Sequence, residues 1–304
     1  MIKKLFLLLV LCSLVWSCEQ ETTKIKGKIN IVATTGMVAD VAKNVGKDSV
    51  QVSALMGPGV DPHLYKATQG DLSRLQDADI IFYNGLHLEG KMGEVFEKLE
   101  RIKTVVPVAR GINETFLLDD PIYQGTFDPH IWFDVSLWMA TVTEVTNTLI
   151  QAAPESRDYF IANADAYREE LSQLHEWVGE EIQKIPPTKR IMITAHDAFN
   201  YFGRAYGIEV RGLQGISTLS EFGLKDRVDL INYIVEKQIK AVFVETSVSQ
   251  KNIDAIVEGC SQKGHQIVIG GNLYSDAMGA EGTPEGTYLG MVRANVNTIV
   301  EALK

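Results

Sequence analysis

The chain has 304 residues, 45% of them hydrophobic and 22% charged, the make-up of a globular protein long enough for two domains. Acidic residues number 39 against 29 basic ones, a formal charge of −10, and no basic stripe appears. That balance excludes nucleic acid as the expected partner, and three Cys are too few and too scattered for a disulfide framework.

Residues 1–18 read as a lipoprotein signal peptide. Lys3 and Lys4 form a charged start, and Leu5 to Trp16 is apolar but too short to span a bilayer. Ser17-Cys18 then places a small residue before a cysteine, so Cys18 is the expected lipid-attachment site. Ordinary secretory cleavage elsewhere is the alternative, and both export the protein. Residues 19–27 (EQETTKIKG) are polar and read as a tether. Cys12 leaves with the leader, while Cys260, in the helix-like run NIDAIVEGCSQKG, reads as a small buried apolar residue.

From Lys28 the pattern alternates between strands and helices, which predicts a parallel α/β sheet. Strand-like runs are INIVAT, VQVSALM, Ile80 to Tyr83 and Thr104 to Val108; helix-like runs are Gly36 to Val45, Thr68 to Leu75 and Leu88 to Leu99. Residues 135–153 read as a helix. A longer one follows from Pro154 to about Lys184, with Tyr159, Ala162, Ala166, Leu171, Leu174 and Val178 near helical spacing. About 30 residues at 1.5 Å each give a rod of about 45 Å, more than one small domain needs. Beyond Pro186-Pro187 the alternation restarts, with strands at Arg190 to Ala195, Glu209 to Leu213, Ala241 to Glu245 and Gln266 to Ile269. Helices are expected at Ala198 to Tyr206, Leu224 to Lys237, Asn252 to Lys263 and Tyr288 to Leu303. The expected organisation is therefore two α/β lobes, 28–153 and 187–304, joined by one long rigid linker helix, 154–186.

His63, His130, His196 and Asp276 each follow an apolar, strand-like run and sit in a turn sequence: VSALMGPGVDPH, GTFDPH, RIMITAH and HQIVIGGNLYSD. A single such His is more often an ordinary hydrogen-bonded residue. Only six His occur, however, and half of them stand at this kind of place, two ending the same Asp-Pro-His tripeptide. Three imidazoles and one carboxylate complete a coordination sphere for a divalent transition metal. Ligands bind outside the carboxyl ends of parallel strands, so the four predict a metal site in the interlobe cleft, with two ligands from each half. Ligating imidazoles need acceptors on their second nitrogen; Glu245, ending a strand, and Glu221, in STLSEFG, are candidates, with a salt bridge or a helix cap as the plain alternative. His87 in GLHLEGK reads as structural or supporting, and His175 and His265 as solvated. Trp132, Phe133 and Tyr274 are core residues or a dry wall for the site.

No phosphate loop, dinucleotide fingerprint, His-Glu-x-x-His or nucleophile elbow is present. The stretches TTGMVADVAKNVG, LMGPGVDPHLYKAT, ADIIFYNGLHLEGKM, DPHIWFDV, TAHDAFNYFGRAYGIEVRGLQGIST, VFVETSVSQKNI and GGNLYSDAMG together resemble the zinc- and manganese-binding solute-binding proteins of bacterial ABC metal importers, the cluster A-I group, over the whole mature chain. Within that group the chain resembles the treponemal-type lipoproteins. The resemblance implies two lobes bridged by a rigid helix, metal held by His63, His130, His196 and Asp276, and delivery to a membrane permease with its cytoplasmic ATPase. It also implies that the third ligand is Glu in manganese-type members, where this chain has His196, and that proteobacterial zinc-type members carry a His-rich loop before the second ligand. Here Leu117 to Phe127 holds no His.

Three His and one Asp favour zinc, and manganese prefers more oxygen. The rivals to a metal receptor are an exported zinc hydrolase and a metal-linked surface adhesin. Catalytic zinc usually keeps three protein ligands and a water, so a four-residue set argues against the hydrolase. An exported, lipid-anchored, monomeric receptor in the periplasm or at the cell surface is expected. The long helix without internal Pro predicts a rigid backbone, and the glycines of GGNLYSDAMG predict that this loop moves with metal.

Overall fold

The computed structural model of the chain describes residues 27–220 and 223–304. The signal peptide with Cys18, the tether up to residue 26, and Glu221 lie outside the described residues. Among those described, no helix is long and apolar enough to cross a membrane.

The first half holds a four-stranded parallel sheet in the order β2-β1-β3-β4, from β1 (Ile29–Ala33), β2 (Val50–Ala54), β3 (Ile80–Tyr83) and β4 (Thr104–Pro107). Its helices are α1 (Gly36–Gly46), α2 (Gln69–Asp77) and α3 (Gly93–Glu100). Local chemistry sets where they begin. Thr68 caps α2 through a reciprocal pair, its hydroxyl accepting from the Asp71 N–H at 3.2 Å while the Asp71 carboxylate accepts from the Thr68 N–H at 2.8 Å. The single helix expected from Leu88 is shorter. A 3-10 turn at Gly90–Met92 precedes α3, because the chain leaves β3 through a left-handed turn at Gly85, Leu86 and His87.

Helix α4 (Val135–Ala152) is capped by Asp134, whose carboxylate accepts from the N–H groups of Ser136 and Leu137, both at 3.1 Å. A 3-10 turn at Pro154–Ser156 leads into α5 (Arg157–Gln183), the 27-residue helix that runs between the halves. In the second half β5 (Ile191–His196) pairs in parallel with β6 (Glu209–Gln214), and β7 (Ala241–Glu245) with β8 (Val268–Leu273). Strand β5 also lies beside β7. Helices α6 (Asn200–Tyr206), α7 (Leu224–Glu236), α8 (Lys251–Gln262) and α9 (Tyr288–Leu303) complete it.

The long helix does not stand alone. The largest apolar cluster takes in Ile31 and Val38 from the first half, Trp138 and Leu149 of α4, Leu171, Leu174 and Val178 of α5, and Phe243, Tyr288 and Val296 from the second. The halves therefore share a core around α1, α4, α5 and α9. Relative tilting would expose part of it to water, at about 25 cal/mol per Å² of apolar surface.

Two expectations change here. Gly270 and Gly271 are not loop hinges but belong to β8, where Gly271 pairs with Phe243. A Cβ on Gly270 would stand 2.7 Å from the Ala302 Cβ, and one on Gly271 2.3 Å from the Thr298 Cγ2, so the glycines let α9 lie flat on the strand. His265 is buried rather than solvated, and its Nε2–H donates to the Ile239 carbonyl at 2.6 Å. The bond satisfies the ring inside the turn before β8.

Candidate metal centre

His63, His130, His196 and Asp276 converge. One ligating atom from each lies within 4.8 Å of the others, and all four side chains are buried. His63 arrives on the loop after β2, His196 is the last residue of β5, and Asp276 lies three residues beyond β8. His130 departs from the expectation of a preceding strand. GTF makes only an isolated antiparallel bridge, Phe127 with Asp119, and His130 stands ahead of a 3-10 turn at Ile131–Phe133.

Nε2 of His63 lies 3.3 Å from Nε2 of His130. The Asp276 carboxylate faces both remaining sides, with Oδ1 3.4 Å from Nε2 of His130 and Oδ2 3.3 Å from Nε2 of His196 and 3.9 Å from Nε2 of His63. Ligands about 2.0–2.1 Å from a tetrahedral zinc ion stand about 3.3 Å apart. Three of these separations match that spacing, and the four buried donors make a nest for a cation. Consistent with this, Nε2 of His196 and both Asp276 oxygens are buried without a hydrogen-bond partner.

The outward nitrogens of two imidazoles are fixed by carboxylates. Glu245, at the end of β7, accepts from Nδ1–H of His196 at 2.5 Å and from its backbone N–H at 2.9 Å. Asp128 accepts from Nδ1–H of His130 at 2.7 Å and from its backbone N–H at 3.0 Å. Its second oxygen takes a bond from Asn200 at 3.2 Å. A proton held on Nδ1 turns the Nε2 lone pair toward the centre, the tautomer a metal requires. The sequence reading assigned Asp128 no role; the signal was the repetition of Asp two residues before both His. Asp61, its counterpart, accepts from the His63 backbone N–H at 2.8 Å, and its other oxygen accepts from the Thr218 hydroxyl of the second half at 2.6 Å.

Protonation without metal follows the same charges. Burial, reinforced by the neighbouring imidazoles, lowers His63 to about 3. Burial also opposes charge on His130, but Asp128 and Asp276 outweigh it and hold that ring at about 9. His196 is buried too, yet Glu245 and Asp276 raise it well above the ordinary imidazole value. Burial would raise Asp276, and the His196 and His130 rings together hold it well below the usual carboxylate range.

Trp132 closes one wall. Its ring meets His130 edge-on at 5.2 Å, and its indole N–H donates to the Ser275 carbonyl at 3.0 Å, beside Asp276. Phe133 packs tilted against Phe199, with ring centres 4.1 Å apart. Tyr274 is half-buried, its N–H donating to the Asn295 side chain at 2.9 Å. His87 is exposed, and His175 is half-buried against the Tyr206 hydroxyl at 3.0 Å. Neither His belongs to the centre.

The family model described as the periplasmic zinc-uptake complex component A (ZnuA) matches residues 31–302. The manganese-binding lipoprotein MntA of Bacillus subtilis is 52% identical over 278 residues, covering 91% of this chain and 90% of that protein. The zinc-binding protein TroA of Treponema pallidum is 47% identical over 277 residues, covering 91% and 89%. Its solved structure superposes with a TM-score of 0.89 over 91% of this chain and 99% of that one. The family match runs from within β1 to within α9 and takes in every residue of the centre, so the chain belongs to the ZnuA family of metal-uptake components.

Proposed function

We propose that this protein captures a divalent transition metal outside the cytoplasm and delivers it to an ABC importer, a membrane permease driven by a cytoplasmic ATPase. The metal is cargo, and His63, His130, His196 and Asp276 are its ligands. Glu245 and Asp128 orient two of the imidazoles, with Glu221 as a further candidate. The observation that carries this reading is the buried, inward-facing donor set with orphaned lone pairs. Four protein donors leave little room for the activated water that a zinc hydrolase needs, which favours binding over catalysis.

The lobes are 28–153 and 187–304, with the linker helix at 154–186. The protein acts as a monomer tethered through residues 19–27 to a lipid on Cys18. Several relatives bear the name lipoprotein, in agreement with that anchor. The relatives' names divide between manganese and zinc. Three nitrogen donors and one carboxylate place zinc ahead in affinity at equal free concentrations.

Elemental analysis of the purified protein, followed by zinc–manganese competition against a calibrated chelator, tests the reading. One metal per chain is expected, with zinc the tighter and a large loss in His63→Ala. Wild-type affinity in His63→Ala and His196→Ala together would remove the site, and equal or tighter manganese binding would refute the metal preference.

A further inference from the structure

The turn after β3, Asn84 to Glu89, has a backbone its sequence does not favour. Gly85, Leu86 and His87 have φ of +87°, +54° and +64°. Glycine adopts that region freely, but Leu and His there crowd Cβ against the backbone. A local force must hold them.

That force is a buried carboxylate. Glu89 is 4% exposed, and no salt bridge joins it among the described residues. Its Oε1 accepts from the Asn84 N–H at 2.8 Å and the Thr34 hydroxyl at 2.6 Å, and its Oε2 from the Gly85 N–H at 3.3 Å. Two of the three donors open the turn, and the third, Thr34, directly follows β1. Sinking a carboxyl group among neutral donors is unfavourable unless it secures something else.

What it secures is the Asn84 side chain, which is fully buried. The Asn84 amide donates to the Pro129 carbonyl at 3.0 Å and to the Gly85 carbonyl at 3.1 Å. The backbone carbonyl of Asn84 accepts from the Ala109 N–H at 3.2 Å. Pro129 is the residue before His130. Asp128 holds the His130 ring from one side, and Asn84 holds the backbone that carries it from another.

We propose that Glu89 and Asn84 are positioning residues for His130. Glu89 keeps the left-handed turn closed, and the turn keeps the Asn84 amide on Pro129. Neither touches the metal. They act through the place of the His130 Nε2, which must stay near 3.3–3.4 Å from His63 and Asp276 to share one ion with them. The proposal rests on the metal-capture reading of that centre.

Cobalt(II) reports the geometry, because its visible absorption follows coordination number and symmetry. In the mature chain, Asn84→Ala removes the bond to Pro129 but leaves the backbone donor to Glu89. Glu89→Gln keeps the shape but turns an amide N–H toward one of the three donors. Both variants should alter the cobalt band in the same way and lose about 10-fold in zinc affinity. The double variant should lose no more than Glu89→Gln alone, since the two residues act in series. Ile182→Ala, in the core at the far end of α5, should lower the melting temperature and leave the band unchanged. Wild-type spectra and affinities in both variants, or an equal spectral change in Ile182→Ala, would overturn the proposal. If Glu89→Gln does not fold, Asn84→Ala decides alone. A wild-type chain that binds neither cobalt nor zinc refutes the metal-capture reading itself, which separates the two failures.

Discussion

Replacing Glu245 by Gln tests how far metal affinity depends on a residue that never meets the metal. The carboxylate serves two donors of His196, Nδ1–H at 2.5 Å and the backbone N–H at 2.9 Å. A glutamine has one acceptor oxygen. With that oxygen on Nδ1–H, its amide group faces the backbone N–H, donor against donor. With the amide turned round, Nδ1 must become the acceptor, and the ring proton moves to Nε2, the atom a metal needs bare. Metal selects the first arrangement and loses the charge-assisted bond. Loss of such a partner lowers metal affinity about 10- to 100-fold, about 1.4–2.7 kcal/mol. An opposing effect sets the pH dependence. Glu245 also stabilises the proton that metal must displace, because it helps raise His196 above the ordinary imidazole value. Removing it weakens proton competition, so the affinity deficit should be smallest near pH 6 and widen toward pH 9. Competition titrations of both proteins with a calibrated zinc chelator from pH 6 to 9 measure this directly. Wild-type affinity across that range, or a deficit that narrows as pH rises, would refute the reasoning.

Four further outcomes are expected. Zinc binding at pH 7 should release about two protons, from His130, held at about 9, and His196, raised well above its ordinary value, while His63, at about 3, has none to lose; calorimetry in buffers of different ionisation enthalpy counts them, and release of none would contradict the assignment. For the metal-free protein the raised His130 contributes stability that is fully present below about 6.5 and lost as pH rises through about 9; the metal-loaded protein should lack that decline, as thermal melts at pH 6 and 9 would show. Thr218→Val removes the hydroxyl that binds Asp61 across the halves at 2.6 Å, worth roughly 0.5–1.5 kcal/mol, so stopped-flow zinc release should quicken by about 2- to 12-fold; an unchanged rate would show that this bond does not hold the His63 loop. Gly270→Ala should destabilise by about 1–3 kcal/mol through overpacking, since its methyl would stand 2.7 Å from Ala302 and 3.1 Å from Ala241; a urea midpoint equal to wild type would mean that α9 can shift freely off β8.

Much of the fold is written in local chemistry. The apolar runs of the strands, the Thr68–Asp71 pair that starts α2, and the unbroken helical spacing of α5 act within a few residues, so the sequence reveals them. The convergence of His63, His130, His196 and Asp276 was legible for a related reason. In parallel α/β lobes the strand ends point one way, and chemically matched residues placed there meet if the lobes face each other. Fold topology supplied that step for three of the four, and the repeated Asp-Pro-His supplied it for His130.

Other features required the tertiary structure, because they depend on which distant groups become neighbours. Asp61 and Asp128 occupy the same place in the same tripeptide, yet Asp128 turns to its own His ring while Asp61 reaches Thr218 of the other half. Nothing local distinguishes them; the surrounding walls do. Gly270 and Gly271 read as freedom to move, and the contact of α9 with β8 makes them places where a side chain cannot fit. His265 and His87 both sit in turn sequences, but packing buries the first against a carbonyl and leaves the second exposed. Backbone preferences and caps are short-range and belong to the chain by itself. The orientation of a buried polar group belongs to the whole fold, which must find it a partner or leave a lone pair bare for a metal.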